Sequence, residues 1–312
     1  MCGLVGFACG PRSGSLEGSL LDLTLGLVLA EQRGNAATGV VAIQPGGRMY
    51  LLKAPMRATQ FVDTAAYQKW RRKVSAMKDR PLIVLGHTRL PTSGSEHDNR
   101  NNHPIIAGRV VGTHNGVLFN DTSLAKDYHL APCGEVDSEV LFLMAERAFH
   151  QGREWSVPGL IKNFGLMRGM LTTAMAHRDA PDKLILTRVG GPLYARVNQE
   201  ADTIRWGSGP HYMEQGAHWK PLNVKPYSLA LVNLNTLERP IQWEPLPVAT
   251  YLWDSPWSYG YDDYEDSMVY GHQVWRPQGS RPRVAQKSAA NYIWCAQCKV
   301  YSSLVHQHPK GV

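Results

Sequence analysis

Cysteine stands at position 2, directly behind a methionine and ahead of two glycines in MCGLVGFA. Two readings compete. In one, Leu4, Val5 and Phe7 make a first β-strand and Cys2 is a small buried hydrophobe. In the other, removal of Met1 leaves a thiol and a free α-amine on one residue, a nucleophile beside its own base. Eight residues do not separate them. Three further stretches carry groups that could meet a polar ligand. GHTRLPTSG at 86–94 is a strand running into a loop of hydroxyls and free backbone amides. THNGVLFN at 113–120 closes a turn at Asn115 and Gly116, able to aim an amide side chain and an N–H at one point. DSEVL at 137–141 puts a carboxylate at a helix start. Taken singly, each is ordinary turn chemistry.

The elements that must position these groups are legible as apolar runs. GVVAIQ, RMYLLKA, PLIVLGHTR, GRVVGTHNG, MLTTAMAH, DKLILTRV, PLYARV and TIRWGSG are rich in Val, Ile and Leu with turn residues between them, and read as strands. Leu16, Leu20, Leu23 and Leu27 recur at helical spacing and predict an amphipathic helix over Ser15 to Gln32. A second helix is predicted over DSEVLFLMAERAFHQ, with Val140, Leu141, Met144 and Ala148 on one face and Asp137 as its N-cap. Helices interrupting groups of consecutive strands give an α+β class with largely antiparallel sheets stacked between helical layers.

Composition narrows the partners. With 312 residues, 43% of them hydrophobic, the chain can bury a sizeable core. A net charge of +7 permits anionic small molecules or nucleic acid and requires neither. The five cysteines are odd in number and scattered, which argues against a secreted disulfide framework and suits a reducing cytoplasm better. The apolar stretch SLLDLTLGLVLA is broken by Asp22 and Thr24 and is too short to span a bilayer, and no basic leader precedes it, so a soluble protein without membrane association is expected. Composition changes after Leu246, giving three expected regions: a main domain at 2–246, an aromatic and acidic strap with a basic linker at 247–288, and a small module at 289–312. In that module Cys295-x-x-Cys298 has knuckle spacing, and His306 and His308 could complete a tetrahedron around a structural zinc. His-x-His is not the usual second half of such a site.

In this order behind MCGLVG, the GHTR, HNG and DSEV stretches resemble the class II glutamine amidotransferase domain over roughly the first three quarters of the chain. The resemblance implies a four-layer αββα N-terminal-nucleophile hydrolase sandwich, here with a small C-terminal extension. It also implies removal of Met1 and attack of the Cys2 thiolate on the side-chain amide of L-glutamine, through a γ-glutamyl thioester and without a cofactor. By the same resemblance Arg89 clamps the substrate α-carboxylate, a match of guanidinium fork to carboxylate, and Asp137 pairs with its α-ammonium. Thr92 and Ser93 lie on a loop that closes over the substrate, and the Asn115 amide with the Gly116 N–H forms the oxyanion hole. QRGNAATG parallels the family's Arg-Gly element through Arg33, Gly34 and Gly39, and Asn102, His103 and Pro104 parallel a downstream element. Departures are Ala36 and Ala37 where the family has Asp and Ser, and Leu90 where an aromatic residue often follows the Arg of GHTR. His87 and His114 read as satisfied strand histidines, because the Cys2 amine can serve as base, while Cys9 and Cys133 read as core or incidental. The expected function is glutamine hydrolysis, with ammonia passed to a separate acceptor enzyme that is nucleotide-related. The alternatives are an N-terminal-nucleophile amidase on another small amide, or a noncatalytic scaffold or nucleic-acid-binding protein retaining the fold.

Overall fold

Apolar side chains of the central strands leave the backbone alternately to two different apolar layers, and that division organises the molecule. In strand β1 (Gly3–Cys9), Leu4 and Ala8 enter a layer lined by strands alone, whereas Val5, Phe7 and Cys9 meet Leu16, Leu20, Leu23 and Leu27 of helix α1 (Glu17–Ala30). Strands buried on both faces read as continuous apolar runs rather than as alternating ones. This is why GVVAIQ and PLIVLG carry so few polar residues.

The computed structural model describes residues 2–150, 154–213 and 218–249, and two strands at 292–295 and 300–303. After β1 and α1 come β2 (Ala37–Ile43), β3 (Met49–Ala54), α2 (Ala58–Asp63), α3 (Ala65–Ser75) and β4 (Leu82–Arg89). The chain continues through β5 (Ile105–Ala107), β6 (Val110–Asn115), α4 (Asp121–Asp127), α5 (Asp137–Glu146), β7 (Phe149–His150), β8 (Glu154–Trp155) and α6 (Val157–Phe164). It then runs β9 (Thr172–His177), β10 (Ala180–Arg188), β11 (Tyr194–Asn198), β12 (Thr203–Gly207), β13 (Lys220–Leu222), β14 (Ser228–Asn233) and β15 (Glu244–Pro245). One sheet has the order β13-β11-β12-β1-β4-β2-β3 and the other β15-β14-β10-β9-β6-β5. All the pairings are antiparallel. Helices α1 to α3 cover the outer face of the first sheet, and α5 and α6 pack on the outer face of the second. The layers are therefore α, β, β, α, the architecture expected above.

The chain divides into two units, Met1–Trp253 and Asp254–Val312. In the second, β16 (Tyr292–Cys295) and β17 (Val300–Ser303) pair as an antiparallel hairpin. The aromatic and acidic stretch at 251–270, the basic stretch behind it, and the zinc candidates Cys298, His306 and His308 lie outside the described residues, as does the side chain of Cys295.

Three local expectations are corrected. Helix α1 is not amphipathic: Leu16, Leu20, Leu23 and Leu27 are buried, yet Leu21, Leu25 and Leu29 are 49%, 52% and 41% exposed on the opposite side. Helix α5 stops at Glu146 rather than near 151, because Phe149 and His150 pair with Glu154 and Trp155 in a short hairpin instead of extending the turn. Its N-cap is Val136, and Asp137 is the first helical residue. No described helix is long and apolar enough to cross a membrane.

Trp206 is the largest fully buried side chain, set between the sheets against Gly6, where an added Cβ would lie 2.4 Å from its ring. Trp206→Ala is expected to cost about 3–5 kcal/mol of stability. The check is a urea titration in which the midpoint falls while the slope stays fixed.

Candidate active site

The open ends of β1 and β4 lie side by side. Gly3 pairs with Thr88, so Cys2 sits at the strand end opposite the Arg89–Leu90 turn. The Leu90 N–H donates to Cys2 Sγ at 3.3 Å, and the thiol in turn reaches the Leu90 carbonyl at 3.5 Å. Arg33 Nε donates to the Cys2 carbonyl at 2.9 Å, which fixes the backbone behind the thiol. Gly34 is required by closeness rather than by an unusual dihedral: a Cβ there would fall 2.6 Å from the Arg89 carbonyl carbon and 2.7 Å from the Leu90 nitrogen. Burial pushes the Cys2 thiol up from its ordinary value. The Leu90 N–H, the N-terminal ammonium, Arg89 and Arg33 all act in the opposite direction. The half-buried thiol is thus surrounded by groups that favour its thiolate.

Arg89 is 3% exposed at the end of β4. Its guanidinium donates to Asn102 Oδ1 at 2.9 Å, to the Gly94 carbonyl at 3.0 Å and to the Ser93 carbonyl, all of them neutral acceptors. Among the described residues no carboxylate forms an ion pair with it. Burial pushes its pKa down, while Cys2, Glu96, Asp137 and Glu135 lie near enough to oppose that shift. A buried guanidinium held only by carbonyls is an attractive place for a ligand carboxylate, since a desolvated cation gains most from an anionic partner. The loop that follows carries Thr92 and Ser93, both exposed. Ser93 takes part through its carbonyl on Arg89. Asn101 and Asn102 fasten the same loop from below through the Ser95 carbonyl at 3.2 Å and the Glu96 carbonyl at 2.6 Å.

The second sheet contributes the end of β6. Asn115 is 6% exposed, its Oδ1 accepts from His87 Nε2 at 3.2 Å, and its Nδ2 is buried with no hydrogen-bond acceptor among the described residues. An unpaired buried amide N–H is costly and rare in native structures, so this one asks for an occupant. Gly116 follows at φ +149°, where a Cβ would lie 2.0 Å from the Met170 carbonyl. That carbonyl accepts from His114 Nε2 at 2.8 Å, and His114 Nδ1 then accepts from the Ser138 hydroxyl at 2.9 Å. Asp137 Oδ2 accepts the Leu118 N–H at 2.6 Å and Oδ1 the Ser138 N–H at 2.9 Å, which ties the helix start to the segment just past Gly116. Its carboxylate stays half-exposed, so the cap predicted from sequence is instead an anion facing the site from the first turn of α5.

Cys2, Arg89, Asn115, Gly116 and Asp137 thus belong to one connected cluster, with Arg33 and Gly34 behind the thiol and Thr92 and Ser93 on the bordering loop. A nucleophile, a buried cation, an anion and an unsatisfied amide donor suit attack on the carbonyl of a small zwitterionic ligand. Sequence reasoning missed Asn101 as a loop anchor and His87 as the partner of the Asn115 amide. His87 stands in the GHTR stretch, but its partner lies on the other sheet, and no local spacing reveals that. Among the described residues no group of His, Cys, Asp and Glu is arranged to hold a metal.

No family model matches the chain. It is 29% identical over 209 residues to a glutamine–fructose-6-phosphate aminotransferase (isomerizing) of Aeropyrum pernix, covering 65% of this chain and 31% of that protein. It is 24% identical over 225 residues to a 7-cyano-7-deazaguanine synthase of Saccharolobus solfataricus, covering 70% of this chain and 46% of that one. The chain therefore spans less than half the length of either relative. In fold it is similar to the glutamine phosphoribosylpyrophosphate amidotransferase of B. subtilis, with a TM-score of 0.56 at 18% identity over 78% of this chain and 49% of that one.

Gly34→Ala pushes the Arg89–Leu90 backbone away and with it the N–H that meets the thiol. A hydrogen bond of about 0.5–1.5 kcal/mol that favours the thiolate is lost, and alkylation of Cys2 by iodoacetamide at neutral pH is expected to slow about two- to tenfold. Peptide mapping reads this against the exposed Cys133 in the same sample. An unchanged ratio of the two rates would refute the role given to Gly34.

Proposed function

The chain carries a class II glutamine amidotransferase domain of the N-terminal-nucleophile type, and from that premise we propose that it hydrolyses L-glutamine to glutamate and ammonia with Cys2 as nucleophile. Removal of Met1 frees the Cys2 α-amine, which takes the thiol proton. Sγ then attacks the amide carbon, the carbon–nitrogen bond breaks, and the amine returns the proton to the leaving ammonia. Water attacks the resulting γ-glutamyl thioester and releases glutamate with the thiol restored. In the tetrahedral intermediates the oxyanion accepts hydrogen bonds from Asn115 Nδ2 and the Gly116 N–H. Arg89 holds the substrate α-carboxylate and Asp137 its α-ammonium, while Thr92 and Ser93 bind it from the loop. Arg33 and Gly34 keep Cys2 in place.

The observation that carries this reading is the Asn115 Nδ2, buried and without an acceptor at the end of β6. Ammonia then passes to an acceptor enzyme separate from this chain. A nucleotide-related acceptor is favoured by the likeness to a 7-cyano-7-deazaguanine synthase. The free thiols Cys2, Cys9 and Cys133 suit a reducing compartment, the cytoplasm. The expected regions at 2–246, 247–288 and 289–312 stay part of the proposal, the last as a zinc module. The knuckle spacing of Cys295-x-x-Cys298 supports zinc held by Cys295 and Cys298 with His306 or His308.

Glutamate release by purified protein tests the chemistry. Cys2→Ala is expected to abolish it. Asn115→Ala is expected to lower kcat about 100- to 1,000-fold, the usual cost of one oxyanion donor, with the thermal transition retained. Steady turnover by Cys2→Ala would overturn the mechanism. For the terminal module, metal analysis of unchelated protein is expected to find one zinc per chain, lost in a Cys295→Ser, Cys298→Ser double variant; metal-free wild-type protein would remove zinc from the proposal.

A further inference from the structure

His87 is 1% exposed on β4, in the first sheet, yet both groups it bonds belong to β6 of the second: the His114 carbonyl at 3.1 Å and Asn115 Oδ1 at 3.2 Å, both from Nε2. A backbone carbonyl can only accept, so Nε2 carries the ring proton. Burial pushes the His87 pKa down to about 3, leaving the ring neutral and Nδ1 bare, in keeping with the absence of a partner for Nδ1 among the described residues. With a proton on Nε2, the Asn115 amide has one favourable orientation. Its oxygen must face the imidazole, because the NH2 group in that place would set donor against donor. Nδ2 is thereby turned the other way, where no acceptor lies among the described residues. The His103 ring lies against His87, centroids 4.3 Å apart and tilted by 37°, and limits the room in which the imidazole can turn.

We propose that His87 is a positioning residue for the reaction, selecting the amide orientation in which Asn115 offers Nδ2 to the oxyanion. The inference rests on the oxyanion reading of Asn115 given above. It differs from a space-filling role in one respect: what matters is a donor at the Nε2 position, not the volume of the ring.

Two amide substitutions separate these roles. The side-chain nitrogen of Gln reaches the place of Nε2, and that of Asn stops one carbon short, near Nδ1. His87→Gln is expected to keep kcat within about fivefold of wild type, as replacement of one neutral hydrogen bond by another allows. His87→Asn is expected to lose about 10- to 100-fold in kcat, part of the value of an oxyanion donor, with KM for glutamine within about twofold. In an Asn115→Ala background His87→Asn is expected to cost nothing further, since coupled residues are not additive. Equal kcat for His87→Gln and His87→Asn, or an undiminished cost in the Asn115→Ala background, would overturn the inference. The Asn115 side-chain amide signals in 15N NMR spectra read its orientation without catalysis. They are expected to be retained in His87→Gln and shifted or broadened in His87→Asn, and identical signals in wild type and His87→Asn would also overturn it. Full turnover by Asn115→Ala alone is the distinct result that sinks the oxyanion reading beneath it.

Discussion

The site depends on the apolar contact between two sheets. Cys2 and Arg89 end strands of one sheet, and Asn115 and Gly116 end a strand of the other, so no single element holds nucleophile and oxyanion donors together. Their separation is set by the layer in which Leu4, Val41, Ile83 and Leu85 of the first sheet meet Val111, Ala174, Ala176, Leu184 and Leu186 of the second. Interiors packed to crystal density transmit displacement rather than absorbing it, and a misplacement of about 1 Å at a reacting centre can cost 100-fold in rate. Small residues at Ala8, Ala174 and Ala176 bring the sheets together. Gly6 leaves room for Trp206, the largest side chain in that layer.

Polar groups enter the space between the sheets at few places. His87 spans it to reach the His114 carbonyl, whereas Thr88, on the opposite face of β4, turns its Oγ1 to the Ala30 carbonyl of α1 at 2.9 Å. Against that background the unpaired atoms are informative in different degrees. Among the described residues the indole N–H groups of Trp155 and Trp206 are also without partners, but each is a single polar atom on a large apolar ring whose burial offsets it. Asn115 has no such compensation. It is a small amide at a strand end, next to a glycine that the Met170 carbonyl would not let be anything larger.

Much of this was legible in the sequence. The apolar runs became strands at nearly the spans expected, and the Cys2, Arg89, Asn115, Gly116 and Asp137 stretches meet in one cluster. Local patterns carried that far because strand alternation and turn residues act over a few positions. What was not legible depended on distant partners. Asp137 looked like a helix cap until the Leu118 N–H, from a loop 19 residues earlier, took its carboxylate. Helix α5 carried an apolar pattern past Glu146, but a hairpin formed there instead. The opposite face of α1 shows Leu21, Leu25 and Leu29 to solvent, an arrangement that periodicity anchored on Leu20 and Leu23 does not anticipate.

The place of β1 in its sheet opposes the order of synthesis to the order of folding. Cys2 leads a strand whose neighbours are β4 and β12, and Val5 pairs with Gly207. A ribosome adding about 5–20 residues per second makes that last partner roughly 10–40 seconds after it has made β1. The strand bearing the nucleophile is among the first residues made, and its second neighbour is among the later ones. The strand's amino end waits less long: Gly3 pairs with Thr88 of β4, made roughly 4–17 seconds after it, so β4 rather than β12 closes over the nucleophile's end of the strand.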